Sequence, residues 1–422
     1  MDPRRSAPVS RSNSMAGFNF MFTDAEQTQR RPYERTFSVP HLPSLAAYPH
    51  RAALPRFLSI SNSVRSKKTY NPKPYFRSRR IKKVFVDDFS NGFNSTIWSR
   101  EVQTGGFSNG EFEMTTGDDE NVFVRDGNLI IKPTVQTENY ISSTKVVNLT
   151  SAGTCTSNTP SDCIIDVSES SDIVQPTKSG RITTKNFAVI RYGRVDVTAK
   201  LAAGDWLLSQ IMMQPAENYY GPWPESGQID LAMARGNNYS YGGGGGNNVV
   251  QSSLHWGTDT TTDRWQLTTG TREALHSTYS DGYHTFGLEW THKYLFMWMD
   301  TRLAQVTYID FNVGFFKRGG FHVTYDNGTR IVNPWTGANT SNTTPFDRPF
   351  YLTLALSVGG TSGWFTDGVQ GKPWVDASTT PRRDFWKARE QWKPTWEKEG
   401  HGELAIKKVS MWQQCDNGAT DL

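Results

Sequence analysis

One stretch near the middle of the chain has a strong strand pattern, and it reads Gly221-Pro222-Trp223-Pro224-Glu225-Ser226-Gly227-Gln228-Ile229-Asp230-Leu231-Ala232-Met233-Ala234-Arg235-Gly236-Asn237. Because side chains alternate along a strand, Gln228 and Asp230 are predicted to share one face. Met233 has the opposite parity and joins that face only if a bulge adds one residue. The same letters also fit an ordinary half-buried strand, and that simpler interpretation assigns them no chemistry.

Strand-like runs continue on both sides of this stretch and are separated by Gly, Asn, Asp and Pro. They include Val84–Val86, Leu129–Ile131, Tyr192–Lys200, Trp206–Pro215, His284–Trp290, Tyr294–Met299 and Phe350–Leu356. Many short alternating runs with turn signals between them predict an all-β sandwich. One short helix is predicted at Arg382–Trp392, and no internal repeat is expected.

The net charge of +4 is distributed unevenly along the chain. Residues 1–83 hold 17 Lys and Arg against 4 Asp and Glu, whereas residues 84–422 hold 28 against 37. The first segment is rich in Arg, Ser and Pro and has no hydrophobic period, so we predict a disordered basic tail over residues 1–83. Residues 84–417 are predicted to form one domain. Because that domain is acidic, nucleic acid is not an expected partner.

The signals for a cellular compartment point in two directions. The sequence shows no apolar run of about 18 residues, so no transmembrane helix is predicted, and no apolar core of a signal peptide follows Met1. Cys155 and Cys163 flank a short polar loop and are predicted to pair, which suits an oxidising compartment; Cys415 is left over. These signals favour a secreted or cell-surface protein and leave a cytosolic address open. Six Asn-x-Ser/Thr sequons also favour the secreted or cell-surface location. They lie at Asn94, Asn148, Asn238, Asn327, Asn339 and Asn342.

A set of short motifs occurs in a characteristic order. The motifs are Val84–Phe89, Trp98, Asn109–Phe112, Asp126–Pro133, Gly193–Val195, Gly204–Trp206, Leu254–Gly257, Tyr283–Trp290, Pro345–Leu352, Val358–Thr361 and Pro394–Trp396. In this order they resemble the laminarinase-like branch of glycoside hydrolase family 16, especially its β-1,3-glucan-binding and recognition proteins. The resemblance covers about residues 84–415. It implies a concanavalin-like jelly roll of two curved antiparallel sheets, with a concave cleft for an extended glucan chain.

The resemblance also implies where catalytic residues would stand: the nucleophile, the assisting acid and the acid/base fall on Gln228, Asp230 and Met233. A retaining glycosidase needs two carboxyl groups about 5–5.5 Å apart, and only Asp230 is acidic here. The family's usual tryptophan platforms are replaced by Leu208 and Met212. Aromatic rings can stack on sugar rings, which makes tryptophans candidate ligand-binding residues. For Trp206 and Trp256, packing in the core is the alternative interpretation. The remaining ligand-binding candidates are Trp206, Trp223, His255, Trp256 and Trp364.

Three functions remain to be compared. The first, which we predict, is a β-1,3-glucan-binding protein without hydrolase activity, because two of the three catalytic positions are replaced. The second is an active endo-β-1,3-glucanase or transglycosylase with an atypical site, and the third is a scaffold that binds no sugar and acts through the basic tail. The expected partner is β-glucan polysaccharide. No cofactor and no structural zinc are expected, and a structural Ca²⁺ is left open.

Overall fold

The computed structural model describes residues 81–321, 324, 328–337 and 341–415. In chain order the strands are β1 (Ile81–Asp87), β2 (Ser99–Arg100), β3 (Glu113–Thr115), β4 (Val122–Arg125), β5 (Asn128–Ile131), β6 (Thr134–Val135), β7 (Val146–Asn148), β8 (Ile164–Asp166), β9 (Thr177–Ser179), β10 (Arg181–Thr183), β11 (Val189–Ile190), β12 (Gly193–Lys200), β13 (Leu207–Pro215), β14 (Gln228–Arg235), β15 (Val249–His255), β16 (Thr269–Glu273), β17 (His284–Trp290), β18 (Tyr294–Met299), β19 (Thr301–Asp310), β20 (Phe350–Val358) and β21 (Leu404–Gln414). The helices are α1 (Glu138–Ser143), α2 (Pro160–Cys163), α3 (Phe315–Arg318), α4 (Pro381–Lys387) and α5 (Arg389–Trp396).

Two eight-stranded antiparallel sheets form a sandwich. The first sheet has the order β19-β18-β17-β12-β21-β5-β4, with β1 also paired to β21. The second sheet has the order β16-β15-β14-β13-β20-β10-β2, with β11 also paired to β20. A three-stranded sheet, β3-β9-β6, and a two-stranded sheet, β7-β8, complete the described strands. The all-β sandwich expected from the alternating runs is confirmed.

The core lies between the two large sheets, where alternate side chains of facing strands meet. On β12 of the first sheet, every second residue is buried, including Val195 and Val197. On β13 of the second sheet, Ile211 and Met213 belong to the same buried cluster, as does Leu254 of β15. On the opposite face of the second sheet, β13 carries Leu208, Gln210 and Met212, which are also buried.

Two boundaries differ from those expected. Ile81–Lys83, assigned to the tail from their charge, belong to β1 and pair with β21. The single helix expected at Arg382–Trp392 is two helices, because the backbone leaves helical geometry at Ala388 before α5 begins. Stacking of Phe385 on Trp392, with ring centroids 4.3 Å apart, holds the two helices together.

Between β6 and β9 the chain forms a small separate unit that contains α1, β7, α2 and β8. Its own buried cluster includes Ile141, Val147 and Val174, together with Trp386 of α4. Cys155 and Cys163 form a disulfide in this segment, with Cα atoms 5.7 Å apart, as the sequence predicted. The disulfide closes the loop that leads into α2.

Candidate functional site

Strand β14 brings Gln228, Asp230 and Met233, here called the β14 row, to one face of the second sheet. On β13, Asp230 is paired with Met212 and Met233 with Gln210. Met212 and Gln210 are two residues apart and share a face, whereas Asp230 and Met233 are three apart. The one-residue register shift between those pairs corrects the parity, as the bulge hypothesis requires.

Both carboxylate oxygens of Asp230 accept hydrogen bonds within the site. Gln228 Nε2 donates to Asp230 Oδ1 at 2.8 Å. Asp230 Oδ2 accepts from Ser253 Oγ at 3.2 Å and lies 2.9 Å from His255 Nε2. The side chain of Asp230 is only 2% exposed. The remaining acid of the row is therefore buried and fully engaged by its neighbours.

His255 lies between two carboxylates. Its Nδ1 is 2.6 Å from Asp263 Oδ2, and its Nε2 contacts Asp230. Burial alone would lower the pKa of His255, but the charges of these carboxylates and the hydrogen bonds to them outweigh burial and raise it to about 10. At neutral pH both ring nitrogens are donors, and both are used. A sugar hydroxyl would therefore have to compete with the two carboxylates for these nitrogens, and sugar binding by His255 stays a prediction.

Two of the predicted ligand-binding tryptophans are core residues. Trp206 is 4% exposed, and its ring packs edge-on against Phe365 and Trp374. Trp256 is fully buried, and its Nε1 donates to Thr268 Oγ1 at 2.8 Å. Packed rings without an exposed face cannot stack on a sugar, so the structure corrects the expectation for Trp206 and Trp256.

Trp223 and Trp364 do present exposed surface near the two ends of β14. Trp223 is 40% exposed, and its ring centroid lies 5.6 Å from that of His255. Trp364 is partly exposed and lies against Arg235 at the end of β14, with the guanidinium 4.6 Å from the ring centroid. The arrangement places one aromatic ring at each end of the β14 row.

Sequence reasoning missed several residues that complete the site. Ser253 could have been found from its parity with His255 on β15, because both side chains lie on the face of the row. Asp263 and Trp265 come shortly after β15, with Trp265 at the start of a short 3-10 helix, and no local pattern marks them as partners of His255. Glu111 comes from a distant loop, and its contact with the second sheet depends on the fold.

Glu111 and Glu113 form a buried acidic pair beside the row. Gln210, the β13 partner of Met233, donates to Glu111 Oε1 at 3.0 Å and to Ser357 Oγ at 3.0 Å. Glu113 Oε2 accepts the backbone N–H of Val358 at 2.9 Å. Burial first, and then the charge of Glu111, raise the pKa of Glu113 well above its usual range.

The other predicted positions are distributed over the surface. Asn94, Asn238 and Asn342 are exposed and Asn148 is partly exposed, whereas Asn327 and Asn339 lie outside the described residues. Among the described residues, no three His, Cys, Asp or Glu side chains form a group that could hold a metal ion. In the same part of the chain, no helix has the length and apolar character needed to cross a membrane.

Comparisons with curated proteins give clear relatives, although no family model matches the chain. It is 34% identical over 320 residues to the β-1,3-glucan-binding protein of Penaeus monodon, covering 74% of this chain and 84% of that protein. It is 31% identical to Gram-negative bacteria-binding protein 1 of Drosophila melanogaster and 28% identical to β-1,3-glucan-binding protein 1 of Manduca sexta. Each of these two alignments covers 74% of this chain but 61% of the relative, so the chain spans less than two thirds of their length.

The fold is also similar to that of a solved enzyme. The crystal structure of a non-specific endo-β-1,3(4)-glucanase from glycoside hydrolase family 16 superposes with a TM-score of 0.50 and 20% identity. The superposition covers 81% of this chain and 94% of the enzyme. At this identity the likeness shows the shared jelly-roll sandwich and carries no statement about activity.

Proposed function

Because the chain belongs to the β-1,3-glucan-binding protein family and has the fold of glycoside hydrolase family 16, we propose that it binds β-1,3-glucan without hydrolysing it. One observation carries the second half of this proposal. In the β14 row an amide, a fully hydrogen-bonded carboxylate and a thioether stand where the family resemblance places three acids.

The chemistry of the row supports binding without hydrolysis. Gln228 has no anionic oxygen to attack a sugar carbon, so the covalent route has no nucleophile at that position. Met233 carries no proton to transfer, and loss of a general acid typically costs about 10²–10⁴-fold in rate. Asp230 is buried and held by Gln228, Ser253 and His255, so both of its oxygens already accept hydrogen bonds.

The exposed aromatic rings support sugar binding at the same place. Trp223 presents 40% of its surface beside His255, and the partly exposed Trp364 lies at the other end of β14. An indole ring covers the apolar face of a glucose ring and excludes water from it. A cleft between the two rings would let the partly exposed amide of Gln228 meet hydroxyl groups of the bound chain.

Capture on insoluble linear β-1,3-glucan, with cellulose as the comparison, tests binding. We expect Trp223→Ala to weaken capture about tenfold, equivalent to about 1.4 kcal/mol. Tyr283→Ala is a matched control, because Tyr283 is also 40% exposed and precedes β17 of the first sheet. Equal losses for both variants would argue against a site at Trp223.

Reducing-end release from the same soluble glucan tests the absence of hydrolysis. We expect none from the wild type at high protein concentration, beside an active laminarinase as a positive control. Release that disappears in Asp230→Ala would show a working atypical site and would sink this half of the proposal.

One observation favours an active enzyme as the second candidate. Glu225 lies three residues before Gln228, and burial first, then the charge of Asp259, raise its pKa above the usual range. A raised pKa suits a general acid at neutral pH. If hydrolysis is detected, its loss in Glu225→Gln but not in Glu217→Gln would assign the acid to Glu225.

We also propose a secreted or cell-surface location and a single folded domain that follows a basic tail. The disulfide between Cys155 and Cys163 supports an oxidising compartment, because such bonds persist there and are rare in the cytosol. Mass spectrometry of the native protein tests this: glycans at Asn94, Asn238 or Asn342 support passage through the secretory pathway. Unmodified asparagines together with free thiols at both cysteines would contradict it.

A further inference from the structure

The face of the second sheet that carries the β14 row is open over only part of its width. At β14 and β15 the side chains of Gln228 and His255 keep exposed surface, beside the exposed ring of Trp223. On the next three strands, β13, β20 and β10, the central side chains of the same face are each at most 5% exposed. They are Leu208, Gln210, Met212, Thr353, Ala355, Ser357, Arg181 and Thr183. This part of the face is therefore covered.

The loop between β2 and β3, residues 101–112 and here called the β2–β3 loop, contributes to the cover. Over β10, the ring centroid of Phe107 lies 4.2 Å from the guanidinium carbon of Arg181. Over β13, Glu111 Oε1 accepts a hydrogen bond from Gln210 Nε2 at 3.0 Å. Because Arg181 and Gln210 both belong to the face of the row, the loop lies on that face and Phe107 covers its far side.

The rest of the β2–β3 loop fixes the position of Phe107. The backbone N–H of Phe112 donates to the carbonyl of Val358 at 2.8 Å, and that of Thr361 donates to the carbonyl of Asn109 at 2.9 Å. Phe107 itself has a left-handed φ of 47°, which is uncommon for a bulky side chain. Such a conformation persists only where the surrounding structure over-determines it, and it is often found at ligand-binding sites. Phe107 is therefore a held feature of this face.

Arg181, under the ring of Phe107, is a prepared hydrogen-bond donor. Its Nε donates to Glu101, and its Nη2 donates to Gln214 Oε1 at 2.8 Å. These two bonds fix the plane of the guanidinium, whose side chain is 5% exposed. The third nitrogen, Nη1, makes no hydrogen bond with any residue that the structure describes. Phe107 thus lies against a fixed cation that has a donor to spare.

We propose that Phe107 is a specificity-determining residue of the glucan site: its ring closes the sheet face at Arg181 and confines a bound chain to the β14 and β15 side. The inference rests on the proposed glucan binding and deepens it, because it says which part of the sheet a chain can occupy. β15 and β10 are four strand spacings apart, roughly 19 Å, so Phe107 withholds most of the width of the face.

Affinity for β-1,3-linked glucose oligosaccharides of two lengths, measured by calorimetry on the full chain, tests the proposal. A trisaccharide held at Trp223 and His255 ends before β10, so we expect Phe107→Ala to leave its affinity unchanged. A hexasaccharide can reach Arg181 once the ring is removed. We expect its affinity to rise about tenfold, the typical effect of one hydrogen bond to a charged group. Loss of packing alone would not strengthen binding.

Three further variants control for the ring and for folding. Phe107→Gly also removes the ring and suits the positive φ, so it should reproduce the gain even if Phe107→Ala is unstable. Phe107→Tyr keeps the ring and should bind both sugars like the wild type. Phe123→Ala is the matched control, because Phe123 is also partly exposed and lies near a guanidinium, that of Arg125, on β4 of the first sheet.

The outcomes separate the role of Phe107 from glucan binding itself. Unchanged hexasaccharide affinity in both Phe107→Ala and Phe107→Gly would overturn the role of Phe107, and binding of either sugar by the wild type would leave the proposed function standing. Weaker binding of both sugars by a variant with an unchanged melting temperature would show that Phe107 contacts the chain directly, which also overturns the proposal. No binding of either sugar and no capture on insoluble glucan by the wild type would reject both.

Discussion

At the scale of single residues, the site is organised by charge compensation around Asp230. The carboxylate is buried, and the imidazolium of His255 lies 2.9 Å away. Asp263 holds the other ring nitrogen, so one cation is shared between two anions. This arrangement stabilises a buried charge, and it supports the proposal that the row does not hydrolyse a sugar chain.

The first prediction concerns the proton on His255. In Asp263→Asn one of the two neighbouring charges is lost, so we expect the pKa of His255 to fall from about 10 by roughly 1–3 pH units. Titration of the imidazole signals by NMR measures this directly. Asp300→Asn is the control, because Asp300 pairs with a different imidazole, that of His284. An unchanged titration in Asp263→Asn would show that Asp230 alone sets the pKa.

The same pKa predicts how stability depends on pH. Because the folded state holds the proton up to about pH 10 and an unfolded histidine loses it near 6.5, the contribution of this site is complete below about pH 6.5. It is lost as the pH rises through about 10. We expect the difference in melting temperature between wild type and His255→Gln to shrink from pH 6 to pH 10. A difference that grows over this range would contradict the assignment.

A further prediction concerns the two replaced positions of the row. We expect Gln228→Glu combined with Met233→Glu to release reducing ends from linear β-1,3-glucan, because the register shift keeps both positions on one face. Gln228→Glu alone lacks the acid and should be at least about 100-fold slower. A double variant that still binds glucan and stays inactive would mean that the cleft, not only the row, has lost the catalytic geometry.

At the scale of elements, the disulfide-containing segment packs against α4 through a small core of its own. Cys163 ends α2, the short helix of this segment. The segment has its own small core and is joined to α4 by Trp386. Because this core is small, we expect the folding of the segment to depend strongly on its disulfide.

Removal of the disulfide should therefore act locally. In the chain-entropy estimate, a disulfide that closes a loop of about eight residues stabilises the folded state by roughly 2–3 kcal/mol. We therefore expect the double variant Cys155→Ala, Cys163→Ala to lose about this much unfolding free energy. Thermal unfolding with and without reductant measures it, with Cys415→Ala as the control because Cys415 is free. The variant should keep capture on insoluble glucan. Loss of capture would place the binding surface on this segment instead of on β14.

At the scale of the whole molecule, the chain combines an acidic sandwich with a strongly basic first segment. The described sheets begin at Ile81, and both large sheets consist only of strands from there onward. If binding belongs to the sandwich, removal of residues 1–80 should leave capture on insoluble glucan within about twofold at 0.15 M salt, where exposed charges are largely screened. Circular dichroism controls for folding of the shortened chain. A large loss of capture would assign glucan binding to the first segment instead of to the sandwich.

Much of the fold could be predicted because it depends on local patterns. Alternation located β17 and β18 to the residue, and turn residues separated them. The break at Ala388 could not be predicted, since it depends on the packing of Phe385 against Trp392 across two helices. Similarly, the pairing of Ile81 with Gln414 gives β1 three residues that charge alone assigned to the tail.

The sequence by itself determined the strand pattern, the identity of the β14 row and the two cysteines that pair, because each follows from short-range spacing. Only the tertiary structure decided which aromatic rings are exposed: Trp206 and Trp256 are buried, whereas Trp223 is open to solvent. It also decided that His255 lies between Asp230 and Asp263. Burial and charge pairing are set by residues far apart in the chain, and local spacing carries no information about those contacts.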